Sequence, residues 1–212
     1  MNLPNVITVA RVLAAPVIFA LILGGGFGLL LVAFILFLAA AISDIWDGYL
    51  ARRRGQITDF GKLADPIADK LLVVVTFVPF YIVSLRAPVS EVPVVFGWDV
   101  LPLWVLIVVL GRELLITVFR GLAKRKGVVI AAGKEGKFKA VFQNMFIGGE
   151  ILWLALRSRA LERAWDTPFW SFWKVFHGSY VMITLTIAVV LTAYSLAVYL
   201  WRYRALVARL AE

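Results

Sequence analysis

Ser43-Asp44-Ile45-Trp46-Asp47-Gly48-Tyr49-Leu50-Ala51-Arg52, followed after eight residues by Gly61-Lys62-Leu63-Ala64-Asp65-Pro66-Ile67-Ala68-Asp69, sets four aspartates into an otherwise apolar sequence. An aspartate at the centre of a spanning helix costs about 2.5–3.5 kcal/mol on insertion scales, so four in one bundle call for cations beside them. Asp44 and Asp47 are three residues apart and Asp65 and Asp69 four apart. Both spacings put a pair on one helix face. Adjacent spans joined by a short loop are antiparallel neighbours, so the two acidic faces can meet. Like charges that close oppose each other's ionisation, and divalent cations remove the conflict. Oxygen ligands suit Mg²⁺ or Mn²⁺, and two such ions form a clamp for in-line displacement at phosphorus. The stretch therefore predicts a two-ion site on Asp44, Asp47, Asp65 and Asp69. Gly48, Ala51 and Gly61 flank it and leave room for a bulky ligand. Plainer readings exist: the glycines permit close helix packing, and the aspartates are solvated charge paired to Arg52, Arg53 and Arg54. Pro66 disfavours helical geometry at Asp65, so the helix carrying Asp69 either begins near there or is kinked.

The remainder of the chain supports a membrane setting. Of 212 residues, 62% are hydrophobic, which places the chain in the membrane class. Six apolar stretches approach the roughly 20 residues a spanning helix needs: Ile7 to Leu23, Leu29 to Ile45 (helical on through Arg52), Leu63 to Leu85, Val100 to Leu122, Val141 to Leu156 and Tyr180 to Tyr199. Arg86 to Trp98 reads as a loop broken by Pro88 and Pro93, Ala123 to Lys139 as a basic loop, and Arg157 to Lys174 as a loop or surface helix. The expectation is an all-α integral membrane protein, a six-helix bundle forming one domain over residues 1–212. The first apolar run reads as a retained span, because Met1-Asn2-Leu3-Pro4-Asn5 carries no basic side chain.

The net charge of +9 does not require a nucleic acid, since the charges lie next to apolar spans. They fit positive-inside topology and anionic headgroups. Most Lys and Arg residues, from Arg11 and Arg52 to Arg209, fall on one side, which puts the aspartates and both termini on the cytoplasmic face. Trp98, Trp104, Trp165, Trp170 and Trp173 fall towards the other, as an interfacial belt. With no cysteine, disulfides and thiolate metal sites are excluded. His177, the sole histidine, lies far from the acidic face and reads as structural.

Asp-x-x-Asp-Gly-x-x-Ala-Arg-(x8)-Gly-x-x-x-Asp-x-x-x-Asp, complete from Asp44 to Asp69, resembles the signature of the CDP-alcohol phosphatidyltransferases. The resemblance implies a six-helix membrane fold, a homodimer, and transfer of a phosphatidyl group from a CDP-linked lipid to an alcohol with release of CMP. It also implies that the first three aspartates bind metal and the nucleotide diphosphate, that Asp69 activates the acceptor hydroxyl, and that Gly48, Ala51, Arg52 and Gly61 border the cytidine and phosphates.

The acceptor is read from the charges beyond the signature. Arg112-Glu113 falls inside an apolar span, with Arg120 eight residues on and Lys134, Lys137 and Lys139 after it. Fixed cations beside a metal site suit a phosphate-bearing acceptor, although ordinary topology charge explains Lys124, Arg125 and Lys126. The opening segment through Arg11, which contains Asn5 and Thr8, and the run Gly136-Lys137-Phe138-Lys139 followed by Gln143 resemble the family branch that uses glycerol 3-phosphate. Ala140 departs from it, where that branch commonly has Thr. The resulting expectation has CDP-diacylglycerol as donor and sn-glycerol 3-phosphate as acceptor. Two Mg²⁺ or Mn²⁺ ions serve as cofactor, Asp69 as base, and Asn5 and Thr8 join the donor site. Arg112, Arg120, Lys137 and Lys139 hold the acceptor phosphate. The setting is a bacterial inner membrane, among membrane lipids, with the site facing the cytoplasm. Rival readings are a sibling enzyme using inositol phosphate, serine or phosphatidylglycerol, and a divalent-cation transporter.

Overall fold

The computed structural model describes residues 3–54, 59–86, 101–126 and 134–204. Six helices occupy them: α1 (Leu3–Gly24), α2 (Phe27–Arg54), α3 (Asp59–Arg86), α4 (Leu103–Arg125), α5 (Lys134–Glu162) and α6 (Pro168–Arg202). Four of them, α1, α2, α3 and α6, are long and apolar enough to cross a membrane. The apolar course of α4 is interrupted by Arg112, Glu113 and Arg120, and that of α5 by Gln143, Asn144 and Glu150. Large apolar side chains face outward all round the bundle, among them Leu13 at 66%, Ile107 at 61% and Leu114 at 66% exposure. Such a surface suits lipid tails rather than water, and the molecule is an integral membrane protein.

The helices pack as a closed ring. α1 lies against α2 and α3, α2 against α5, α5 against α6, α6 against α4, and α4 against α3. The α1–α2 turn is tight because Gly25 (φ +65°) and Gly26 (φ +75°) both take left-handed geometry, which a side chain would oppose. Inside the ring, Phe37 of α2, Phe77 and Phe80 of α3 and Phe146 of α5 are almost wholly buried. The rings of Phe77 and Phe146 lie 5.3 Å apart, and that of Phe80 stands edge-on to Phe146 at 5.9 Å. These separations are in the favourable range for aromatic pairs. With lipid outside as apolar as the side chains themselves, close packing of this kind is what holds the helices together.

Two sequence expectations change here. α3 begins at Asp59 and stays helical through Pro66. The carbonyl that Pro66 leaves without an N–H partner is that of Lys62; it falls in the polar first turns, ahead of the apolar span that starts at Ile67. The basic residues Lys134, Lys137 and Lys139 are not on a loop but form the first turns of α5. Arg157 to Lys174, read as a loop or surface helix, is mostly helix, because α5 runs to Glu162 and α6 starts at Pro168. There Thr167 caps α6 by accepting a hydrogen bond from the Trp170 amide at 3.1 Å, with Pro168 in the first turn, where its missing N–H costs nothing. The predicted Arg86 to Trp98 loop lies almost wholly outside the described residues. Of the tryptophan belt, Trp104 and Trp165 are exposed, whereas Trp170 is buried and stacks on Trp153 at 5.9 Å. His177 is buried beside them, with Nε2 2.9 Å from the Gly149 carbonyl, as a structural residue would be.

Candidate active site

One end of the ring encloses a cavity of about 430 Å³, and every one of the six helices contributes to its wall. The register of each helix explains which side chains arrive there. On α2, Ala41 and Asp44 are three apart; on α3, Asp69 is followed by Lys70, Leu72 and Val73; on α4, Arg112 and Arg120 are two turns apart on the face that also buries Ile116. On α5, Gly136, Lys139, Ala140 and Gln143 recur at helical spacing, and on α6 so do Ser195, Tyr199 and Arg202. Among the described lining residues, seven are basic and three acidic. The cavity therefore suits anionic ligands.

The acidic side is organised by a residue that the sequence reading left among the topology charges. Arg11 of α1 is 3% exposed. Its Nη1 lies 2.6 Å from Asp44 Oδ1 and 3.3 Å from Asp69 Oδ1. A buried guanidinium is costly unless paired, and here one nitrogen pins carboxylates from α2 and α3 around itself. Those carboxylates remain open, with side chains 43% and 56% exposed. So Arg11 anchors them while both residues line the cavity. Two hard oxygen donors held together in an open cavity fit a small divalent cation such as Mg²⁺ or Mn²⁺. The side chains of Asp47, Gly48, Ala51, Arg52, Gly61 and Asp65 lie outside the described part of the molecule; their backbones belong to α2 and α3. Thr8, buried one turn before Arg11, and Asn5 are on α1 and are not among the residues that line the cavity.

The basic side is organised by Glu113. Its Oε1 accepts a hydrogen bond from Arg112 Nη1 at 3.0 Å and another from Lys139 Nζ. Lys139 is 4% exposed and lies just before the apolar stretch of α5. Burial lowers its ammonium from the usual lysine range, and the Glu113 carboxylate opposes that shift. Gly136 sits against Arg112, whose Nη2 would be 3.7 Å from a Cβ there. Arg120 stacks over the Tyr199 ring at 5.9 Å, within cation–π range, and Lys137 stands exposed at the same cavity. The structure thus brings together Asp44, Asp69, Arg112, Arg120, Lys137 and Lys139, all singled out in the sequence. It adds Arg11, Lys70, Gln143, Tyr199 and Arg202, which were given no role there.

A family model described as CDP-alcohol phosphatidyltransferase matches residues 1–201. Among curated relatives, a "Probable phosphatidylglycerophosphate synthase" of Mycobacterium tuberculosis is 38% identical over 150 residues, which are 69% of this chain and 64% of that protein. A "CDP-diacylglycerol--glycerol-3-phosphate 3-phosphatidyltransferase" of Bacillus subtilis is 32% identical over 163 residues, 71% of this chain and 77% of the relative. A "Cardiolipin synthase (CMP-forming)" of Streptomyces coelicolor is 34% identical over 155 residues, 67% of this chain and 62% of its own length. The match thus spans just under two thirds of the mycobacterial and streptomycete proteins.

Proposed function

Because the chain belongs to the CDP-alcohol phosphatidyltransferase family, we propose that it transfers the phosphatidyl group of CDP-diacylglycerol to sn-glycerol 3-phosphate, releasing CMP and forming phosphatidylglycerophosphate. The observation that carries this reading is the division of one cavity into an acidic side, Asp44 and Asp69 on Arg11, and a basic side, Arg112 and Lys139 on Glu113 with Arg120 and Lys137. The names of the mycobacterial and Bacillus relatives agree with it.

In this reading the basic side holds the acceptor's phosphate. Guanidinium forks suit it, and Glu113 keeps Arg112 and Lys139 aimed before it arrives. Asp69 takes the proton from the acceptor's 1-hydroxyl. That oxygen bonds to the lipid-side phosphorus, the phosphoanhydride bond breaks, and its electrons leave with CMP. Arg52 and the exposed cations of the cavity mouth stabilise the departing phosphate. Asp44 and Asp69, together with Asp47 and Asp65, would hold Mg²⁺ or Mn²⁺, two ions in all. Bound there, such ions supply positive charge to the donor's diphosphate. Gly48, Ala51 and Gly61 would border the nucleotide, with Asn5 and Thr8 nearby on α1. Positioning and charge stabilisation provide most of the acceleration, as in phosphoryl chemistry generally. The cavity opens to the cytoplasmic side of a bacterial inner membrane, where a water-soluble acceptor is at hand, and the working unit is a homodimer.

The test is CMP release by the purified protein in detergent with CDP-diacylglycerol, Mg²⁺ or Mn²⁺, and one acceptor at a time. Release with glycerol 3-phosphate, abolished by a chelator and restored by the metal, is the expected result. Release only with phosphatidylglycerol would instead favour the activity in the name of the Streptomyces relative. Release with serine or inositol phosphate would discard the acceptor assignment and keep the acidic site. No release, with metal taken up by proteoliposomes, would favour transport.

A further inference from the structure

We infer that Gln143 is a specificity-determining residue whose side-chain amide reads an uncharged hydroxyl of the acceptor, the one on the carbon between the phosphate-bearing and the attacking carbons. The inference rests on the phosphatidyl-transfer reading above and deepens it. Gln143 lines the cavity from α5 and is 2% exposed. Its Nε2 has no hydrogen-bond partner among the described residues. A buried amide N–H without a partner is costly, and packing gives no reason to keep one, since Leu or Met would fill a similar volume without that cost. A donor held without a partner at the wall of a ligand cavity is explained by a ligand that completes it.

The position indicates which part of the ligand this is. Gln143 follows Lys139 by four residues, so the two share one face of α5, about 6 Å apart along its axis. Lys139 belongs to the cations suited to a phosphate, and Asp69 on α3 suits the attacking hydroxyl. Apolar Ala41, Leu72 and Val73 also line the cavity and offer a hydroxyl nothing. Among the neutral polar lining residues besides it, Ser195 commits its hydroxyl proton to the Thr192 carbonyl of its own helix at 3.0 Å, Tyr199 lies under the Arg120 guanidinium at 5.9 Å, on the side suited to the phosphate, and Asn144 is exposed where Gln143 is buried. A three-carbon acceptor anchored by its phosphate and reacting through its terminal hydroxyl has one polar group left over, on the middle carbon. The Gln143 amide can donate to that hydroxyl through Nε2 and accept from it through Oε1.

The experiment compares kcat/KM for CMP release with glycerol 3-phosphate and with 3-hydroxypropyl phosphate. The latter keeps the phosphate and the attacking hydroxyl and lacks the middle one. The unsubstituted protein is expected to prefer glycerol 3-phosphate by roughly 10- to 100-fold, because the deoxy acceptor leaves the amide unpaired. Gln143→Leu is expected to bring the two acceptors together, mainly by raising KM for glycerol 3-phosphate, with KM for CDP-diacylglycerol unchanged. Equal use of both acceptors by the unsubstituted protein, or an undiminished preference in Gln143→Leu, would overturn the inference. If the leucine variant does not fold, Gln143→Met carries the same comparison. Equal use overturns this inference alone. CMP release with neither acceptor overturns the phosphatidyl-transfer reading, and this inference with it.

Discussion

Arg11 shows how far a single residue's role depends on partners distant in sequence. It meets Asp44 across 33 residues and Asp69 across 58, and no local pattern announces either contact. A lone arginine near the start of an apolar helix reads as topology charge. Only the packing of α1 between α2 and α3 turns it into the tie between two carboxylates. Asp44 and Asp69 were legible because acidic side chains set beside apolar spans stand out in the sequence, and the structure brings both to the cavity. Replacing Arg11 with alanine should leave Asp44 and Asp69 repelling each other and lower kcat for CMP release by roughly 100-fold or more. Arg11→Lys should recover part of that loss, keeping the charge without the fork. Turnover of Arg11→Ala at the unsubstituted rate would show that the tie is incidental. Asp69→Asn keeps the shape and a hydrogen-bonding oxygen but cannot accept the proton, so kcat should fall by roughly 100-fold or more with the folded protein unchanged. Full activity in that variant would remove Asp69 from the base role.

At the scale of helices, the sequence was read well where apolar runs were clean and less well where they were mixed. α1 and α2 begin and end close to their predicted limits. The start of α5 was read as loop because lysines and Gly136 dominate it, yet that segment is helical and delivers Lys139 and Gln143 to one face. α6 was read as plain apolar span, although its last turns carry Ser195, Tyr199 and Arg202 to the cavity. The α5–α6 contact depends on a bare backbone at Gly149. A Cβ there would stand 2.6 Å from Tyr180 Cε1, and the neighbouring contacts include His177 Nε2 on the Gly149 carbonyl and the Tyr180 hydroxyl on the Met145 carbonyl at 3.2 Å. Gly149→Ala should push Tyr180 aside and destabilise the protein by about 1–3 kcal/mol, read as a lower Tm in detergent. An unchanged Tm would mean that Tyr180 swings away freely.

For the whole molecule, the excess of basic over acidic groups at the cavity should make acceptor capture sensitive to ionic strength. Raising salt from about 0.05 M to about 0.5 M shortens the screening length to a few ångströms. KM for glycerol 3-phosphate should then rise several-fold, with a smaller change in kcat. A KM indifferent to salt would mean that the cations act only at contact. The closed order of the ring has a different consequence, for the making of the protein. The three helices synthesised first bring Asp44 and Asp69 together on Arg11, but the ring is still open when α5 enters the membrane. It closes only when α6 lodges against both α4 and α5. The cavity wall is therefore incomplete until the sixth helix has been made, because Ser195, Tyr199 and Arg202 form part of it.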